Sequence, residues 1–273
     1  MDAGRIKAAI DEAWSRDKRD QVRSYIGASS IGDQCDVYLT LGLRGFPDNP
    51  IEPRLRRIFA LGNKIEDMVV DDLRKAGLSV LPVDPMTGRQ WAYEEYGGHV
   101  KCHLDGQVIE GDDVGGLEIK SMNERLFKKF VDEGVRSSHP KYFDQMQMCM
   151  ALSGLRWFLF VSYCKNDSHY HCEVVHFDEL AWSVNHHRIE VVLGGEARRI
   201  ATDETDWRCR SCFKGRQCWR PAGFDEAREV PRACRTCANA SPSASGGWHC
   251  DLTNQPAIAP CDEWASYLPK PRT

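Results

Sequence analysis

Between Lys101 and Lys120 the chain reads KCHLDGQVIEGDDVGGLEIK, and three side chains in it could share a reaction: Asp105, Glu118 and Lys120. Glu118 and Lys120 stand two apart in Leu117-Glu118-Ile119-Lys120, and residues two apart on a strand face the same way. Leu117 and Ile119 then point into a core. Asp105 closes the preceding apolar-alternating run, and Asp112, Asp113, Gly115 and Gly116 read as the turn between two runs. The expected β-hairpin carries Asp105 onto the face of Glu118 and Lys120. Two carboxylates and an amine there suit a hard divalent cation held by oxygen, with an amine beside it to handle protons or offset charge.

Such a hairpin needs a scaffold. Residues 3–20 have helical periodicity, with Ile6, Ala9, Ile10 and Trp14 on one stripe. Residues 29–35 read as a helix start capped by Ser or Asp, and residues 42–53 as a Gly/Pro loop. A long helix is expected over 53–76, apolar at Ile58, Leu61, Ile65, Met68, Val69 and Leu73, and ended by Gly77. Strands are expected over 78–83, 90–96, 99–109 and 117–121. Helices follow over 123–133 and 141–152, the second opened by Pro140. Strands over 157–164 and 170–177 pair around Asn166-Asp167, and a helix over 179–200 breaks near Gly194-Gly195. This order predicts an α/β fold: a mixed central sheet flanked by helices, with a cysteine-rich C-terminal metal-binding extension.

Asp105, then Glu118-x-Lys120, resembles the signature of the PD-(D/E)XK nucleases. Upstream, Leu61-Gly62-Asn63-Lys64-Ile65-Glu66 is similar to the G-x-x-x-E helix motif of the RecB-type and phage exonuclease branches. Downstream, the helix from Tyr142 through Gln145 to Cys149 is similar to their Q-x-x-x-Y motif, with Cys149 where Tyr is usual. The resemblance spans roughly the first two-thirds of the chain. It implies a metal-dependent DNA exonuclease, working on DNA with a free end in recombination, repair or DNA processing, with a possible partner protein of that machinery. Asp105 and Glu118 would ligate Mg²⁺ or Mn²⁺, with the Ile119 carbonyl and Glu66 as further ligands. Lys120 would position or deprotonate the attacking water or stabilise phosphate charge. Gln145 would orient Lys120 or a strand end. His103, two residues before Asp105, is expected to be a core or surface histidine.

The chain has twelve cysteines, seven of them after residue 200. No secretory signal is evident, so metal binding is favoured over a disulfide framework. Cys209-x2-Cys212-x5-Cys218 supplies three thiolates and lacks a fourth ligand. Cys35 resembles the N-terminal cysteine of the iron–sulfur exonucleases, the AddB-type and CRISPR-adaptation nucleases among them. That resemblance implies a [4Fe–4S] cluster on Cys35, Cys209, Cys212 and Cys218, closing the chain across the fold. The alternatives are a zinc knuckle, or Cys35 as a buried thiol. Cys234-x2-Cys237-x12-Cys250-x10-Cys261 is a second set, outside the resemblance. It suits a zinc ribbon-like loop, with His249 as an alternative ligand. Cys102, Cys149, Cys164 and Cys172 read as core thiols.

At 273 residues, 42 % hydrophobic and 28 % charged, the chain reads as a soluble globular protein. No apolar run suits a membrane span, and the expected compartment is intracellular, the host cytoplasm if phage-encoded. The net charge of −4 lacks the basic excess of many nucleic-acid binders. A basic groove would have to be local, drawn from Arg54, Arg56, Arg57, Lys120, Arg125, Lys128, Lys129 and Arg136. The expected units are a nuclease core with N-terminal helices over 1–205, an iron–sulfur loop over 206–225 and a zinc module over 226–273. Two competing readings remain: a catalytically inactive DNA- or protein-binding module on the same fold, and a zinc protein whose D…E-x-K is accidental.

Overall fold

The computed structural model describes residues 2–16 and 22–272; positions 17–20 of the first expected helix lie outside them. Helix α1 (Ala3–Ser15) leads to a short strand β1 (Ile26–Gly27) and the helices α2 (Ala28–Ile31) and α3 (Asp36–Leu43). The start signal at 29–35 thus becomes two short helices, and Cys35 occupies the N-cap position of the second. Helix α4 (Pro53–Lys75) opens on proline, whose missing N–H costs nothing in a first turn. It stops before Gly77, which takes a φ of +92° that a side chain would disfavour. Strands β2 (Ser79–Leu81), β3 (Ala92–Glu95), β4 (Val100–His103), β5 (Gly106–Glu110) and β6 (Asp113–Met122) follow.

After β6 the chain crosses over through helices α5 (Glu124–Ser138) and α6 (Pro140–Ser153) and returns as β7 (Trp157–Cys164) and β8 (Tyr170–His176). The Asn123 side chain caps α5 by accepting the Leu126 N–H at 3.0 Å. Helix α7 (Glu179–Leu193), capped by Asp178, ends at Gly194-Gly195, several residues short of the expected 200. The C-terminal part is mostly irregular, with α8 (Gly215–Trp219), α9 (Glu226–Glu229) and the strands β9 (Ala240–Pro242), β10 (Trp248–Cys250) and β11 (Gln255–Pro256).

The central sheet has the order β2-β5-β6-β7-β8. It is mixed: β6 and β7 run parallel, joined by the α5–α6 crossover, and the other pairs are antiparallel. Small sheets β1-β4-β3 and β11-β10-β9 accompany it. One face of the central sheet, with Leu117, Ile119 and Val161, packs on Ile65, Val69 and Val70 of α4. The other face, with Phe158 and Phe160, packs with α5, α6, α3 and α7 in the larger core.

Two expectations about the hairpin need correction. The run over 99–109 is not one strand, for β4 and β5 belong to different sheets and the chain breaks at Leu104-Asp105. Gly115 and Gly116 are not the turn; they are strand residues opposite Val108 and Gln107, and the turn falls at Gly111-Asp112. The physical reason is space. A Cβ on Gly115 would stand 2.3 Å from the Trp157 ring, and one on Gly116 would stand 2.2 Å from the Phe158 ring.

Candidate active site

Strand β6 lies in the middle of the sheet, so its alternating side chains are sorted between two cores. Leu117 and Ile119 are fully buried against α4. Glu118 is also fully buried, on the side where α6 supplies Gln145. The Gln145 Nε2 donates to Glu118 Oε1 at 2.7 Å, and the Lys120 ammonium ion-pairs with the same oxygen. The other oxygen, Oε2, is buried and has no hydrogen-bond partner among the described residues. Asp105 arrives from the β4–β5 break: its N–H donates to the Leu117 carbonyl at 3.2 Å, and its Oδ2 accepts the Ile119 N–H at 2.8 Å. Ile119 is therefore tied to the site through its amide. Gln145 holds the glutamate, where the sequence had it orienting Lys120 or a strand end. His103 is exposed beside Tyr25 and stands on the neighbouring sheet.

The charges are mutually strained. Burial pushes the Glu118 carboxyl up to about 7, against the pull of Lys120 and with the repulsion of Asp105 and Glu66. Burial likewise raises Asp105, opposed by Lys120 and the Ile119 amide. Glu66, half-buried on α4, is raised by burial and then by Asp105. For Lys120 burial acts to lower its value, but Glu118 and Asp105 outweigh this and hold it above the usual ammonium range. Lys120 keeps 24 % of its side chain open, unlike the fully buried Glu118. Three carboxyls face one ammonium, an excess of negative charge that a divalent cation would relieve.

Tyr142 was missed by the sequence reading. Its ring lies 5.3 Å from the Lys120 ammonium and stacks on His139 at 5.5 Å with 7° between planes. A cation over a tyrosine face gains about 0.5–2 kcal/mol. The signal was available: Tyr142 is three residues before Gln145, so both lie on one helix face. Cys149, at the position where tyrosine was expected, is instead buried against Cys102. Ser162 stands opposite Lys120 in register, with its hydroxyl buried and unpartnered among the described residues.

The cysteines fall into two separate groups. Cys35, Cys209, Cys212 and Cys218 line one cavity of about 630 Å³, together with Tyr38, Trp207 and Trp219. Burial pushes Cys212 up to about 12 and Cys218 to about 11. Both also feel the charge of Cys35. Long-range polar contacts hold this arrangement. Asn49 Nδ2 donates to the Cys212 carbonyl at 3.0 Å, and Lys214 is buried on the Phe46 carbonyl. On the other side Arg188 donates to the Ile31 carbonyl at 2.6 Å and to Asp36 Oδ1 at 2.9 Å, fixing the α2–α3 turn that carries Cys35.

Cys234, Cys237, Cys250 and Cys261 line a second cavity of about 140 Å³. His249 is not among its walls; its Nε2 meets Asn254 Oδ1 at 3.0 Å. Cys102, Cys149 and Cys164 are buried, but Cys172 is exposed, because β8 is the sheet's edge strand. Among the described residues no group of three or more His, Cys, Asp or Glu side chains is already drawn together as a metal cage. Of the basic residues expected to form a groove, Arg57, Lys128, Lys129 and Arg136 are engaged with Asp11, Glu124, Glu133 and Asp178. Exposed pairs of this kind are weak and can be exchanged for a phosphate. Among the described residues no helix is long and apolar enough to cross a membrane.

No family model matches the chain, and no curated protein matches it. Solved structures do. An alkaline exonuclease from Laribacter hongkongensis, LHK-Exo, is 20 % identical with a TM-score of 0.46, over 67 % of this chain and 91 % of that one. SSO0001 is 12 % identical with a TM-score of 0.45, over 78 % and 96 %. A phage related exonuclease from Haemophilus somnus 129PT is 12 % identical with a TM-score of 0.37, over 62 % and 91 %.

Proposed function

We propose that the protein is a Mg²⁺- or Mn²⁺-dependent deoxyribonuclease of PD-(D/E)XK type that removes nucleotides from a DNA end. The observation that carries this reading is Glu118 Oε2: a fully buried carboxylate oxygen without a hydrogen-bond partner among the described residues, beside Asp105 and Glu66. An unpaired buried acceptor is costly, and a cation is the group that satisfies it while balancing the excess carboxyls. Glu66, Asp105, Glu118 and the Ile119 carbonyl would hold the ion. Bound there, a divalent metal would polarise the scissile phosphate and lower the pKa of a bound water. Lys120, partly open, would donate hydrogen bonds to a phosphate oxygen and offset its charge in the transition state. Gln145 would keep Glu118 in place, and Tyr142 would keep the ammonium aimed.

The same reading assigns Cys35, Cys209, Cys212 and Cys218 to a [4Fe–4S] cluster of structural role. The support is that one ligand from near the N-terminus and three from near residue 210 face one cavity large enough for a polynuclear centre. Digestion of end-labelled linear and circular DNA with Mg²⁺ or Mn²⁺ tests the function. Linear DNA should be degraded and circular DNA spared. Asp105→Ala, Glu118→Ala and Lys120→Ala should each abolish cleavage, and the first two alone should weaken Mn²⁺ binding. Full cleavage by any of the three would overturn the assignment. Absent cleavage by the metal-loaded wild type, with retained DNA binding, would favour the inactive binding module.

A further inference from the structure

The nuclease reading leaves one constellation unused: Cys234, Cys237, Cys250 and Cys261, around the smaller cavity. We propose that these four thiolates bind a single zinc ion, and that this ion keeps the C-terminal segment in the shape that Arg44 grips.

Three observations carry this. The first is the poverty of the segment's own core. Beyond residue 231 the buried apolar side chains are Cys237, Ala240 and Tyr267, and the sheet consists of strands of three, three and two residues. So small a sheet does not persist on hydrophobic burial alone, and such units are stapled by a metal or disulfides. The second is the donor set. Cys234, Cys237, Cys250 and Cys261 line one cavity of about 140 Å³. With His249 turned to Asn254, the donors are four sulfurs, the set of a closed tetrahedral zinc site. The backbone is already wrapped around one sulfur: Cys237 N–H donates to the Cys234 carbonyl at 2.9 Å, and Asn239 N–H donates to Cys237 Sγ at 3.4 Å.

The third observation links the cavity to the core. Arg44, at the end of α3, is buried and donates to the carbonyls of Arg235, Cys237 and Ala240 at 3.1, 2.9 and 2.9 Å. Its guanidinium lies 4.0 Å from the Tyr267 ring and 5.0 Å from Trp248. One of these acceptors belongs to a ligand residue, one lies within the Cys234–Cys237 turn, and Ala240 pairs with Cys250 in the sheet. Arg44 therefore grips the backbone of the same loops that carry the cysteines, so a metal bound there would stabilise the docked segment.

Metal analysis of the full-length chain should find about one zinc beyond any iron, the load of one four-thiolate site. Replacing the zinc of wild-type protein with Co²⁺ should give the ligand-field absorption of tetrahedral tetrathiolate cobalt. Cys234→Ser with Cys237→Ser should remove the zinc, and Cys172→Ser should keep it. If the double variant fails to fold, wild-type protein still decides: a zinc chelator should accelerate hydrogen exchange over residues 234–268 and leave β6 and β7 protected. Zinc-free wild-type protein, iron in place of zinc at these four cysteines, zinc retained by the double variant, or unchanged exchange after chelation would each overturn the proposal. No arm reads DNA cleavage, so the outcome is independent of the nuclease assignment.

Discussion

Gln145→Leu isolates the contact on which the candidate site turns. Gln145 is buried, and its amide is the only neutral donor to Glu118 among the described residues, at 2.7 Å on Oε1. Leucine keeps most of the bulk and removes the donor. A hydrogen bond to a charged group contributes about 1.5–3 kcal/mol. Lys120 still pairs with the same oxygen, which places the loss near the lower end, about 1.5–2 kcal/mol. At about 1.4 kcal/mol per decade this is a 10- to 30-fold fall in single-turnover cleavage of an end-labelled duplex. Because Glu118 is proposed as a ligand, the Mn²⁺ concentration for half-maximal rate should rise as well, while DNA binding in the absence of metal stays unchanged. Glu118→Ala should be far more severe. Wild-type cleavage by Gln145→Leu with an unchanged Mn²⁺ requirement would refute the reasoning, since the contact would then be structural only.

Cys35→Ala should bleach the iron–sulfur absorption and lower the melting temperature, whereas Cys102→Ala should keep the cluster; full iron content in Cys35→Ala would send the Cys209 group elsewhere for its fourth ligand. Arg44→Met removes three donors from buried or half-buried carbonyls, at about 1 kcal/mol or more each, so about 3 kcal/mol should be lost and opening of residues 234–268 in hydrogen exchange should rise about 100-fold. Uniform acceleration across the whole chain would show that Arg44 supports the core and not the docking alone. Gly116→Ala forces a Cβ to 2.2 Å from the buried Phe158 ring and should cost about 1–3 kcal/mol, read as a lower urea midpoint; an unchanged midpoint would put Gly116 outside the strand.

What sequence could and could not reveal follows from the range of the interactions involved. The two-residue period of a strand was enough to set Glu118 and Lys120 against Leu117 and Ile119, because that sorting is local and both faces of β6 are buried. Proline likewise marked the start of α6, while the glycine pair read as a break within a helix to 200 is where α7 stops. The glycine pair in β6 was misread, because a glycine required by φ and a glycine required by a neighbour's bulk look alike in sequence. Here the neighbours, Trp157 and Phe158, come some forty residues later. The break at Asp105 was hidden for a related reason: which sheet β4 and β5 each join is set by their pairing partners, which the run itself does not name.

The residues that sequence did not single out share one property. Arg44, Asn49 and Arg188 are not themselves reagents; each ties segments more than 150 positions apart. Their contacts bear directly on the two proposed metal staples. A metal would close such a loop only if the cysteines can reach one place, and polar side chains tie the segments that carry them to the core. Arg188 fixes the turn bearing Cys35, Asn49 and Lys214 fix the loop bearing Cys212, and Arg44 fixes the segment bearing Cys237. Each uses backbone carbonyls as acceptors, groups that every sequence possesses and none advertises. A metal binding at either proposed site would then add its free energy to a partly ordered chain, with the entropy of closing those long loops already reduced.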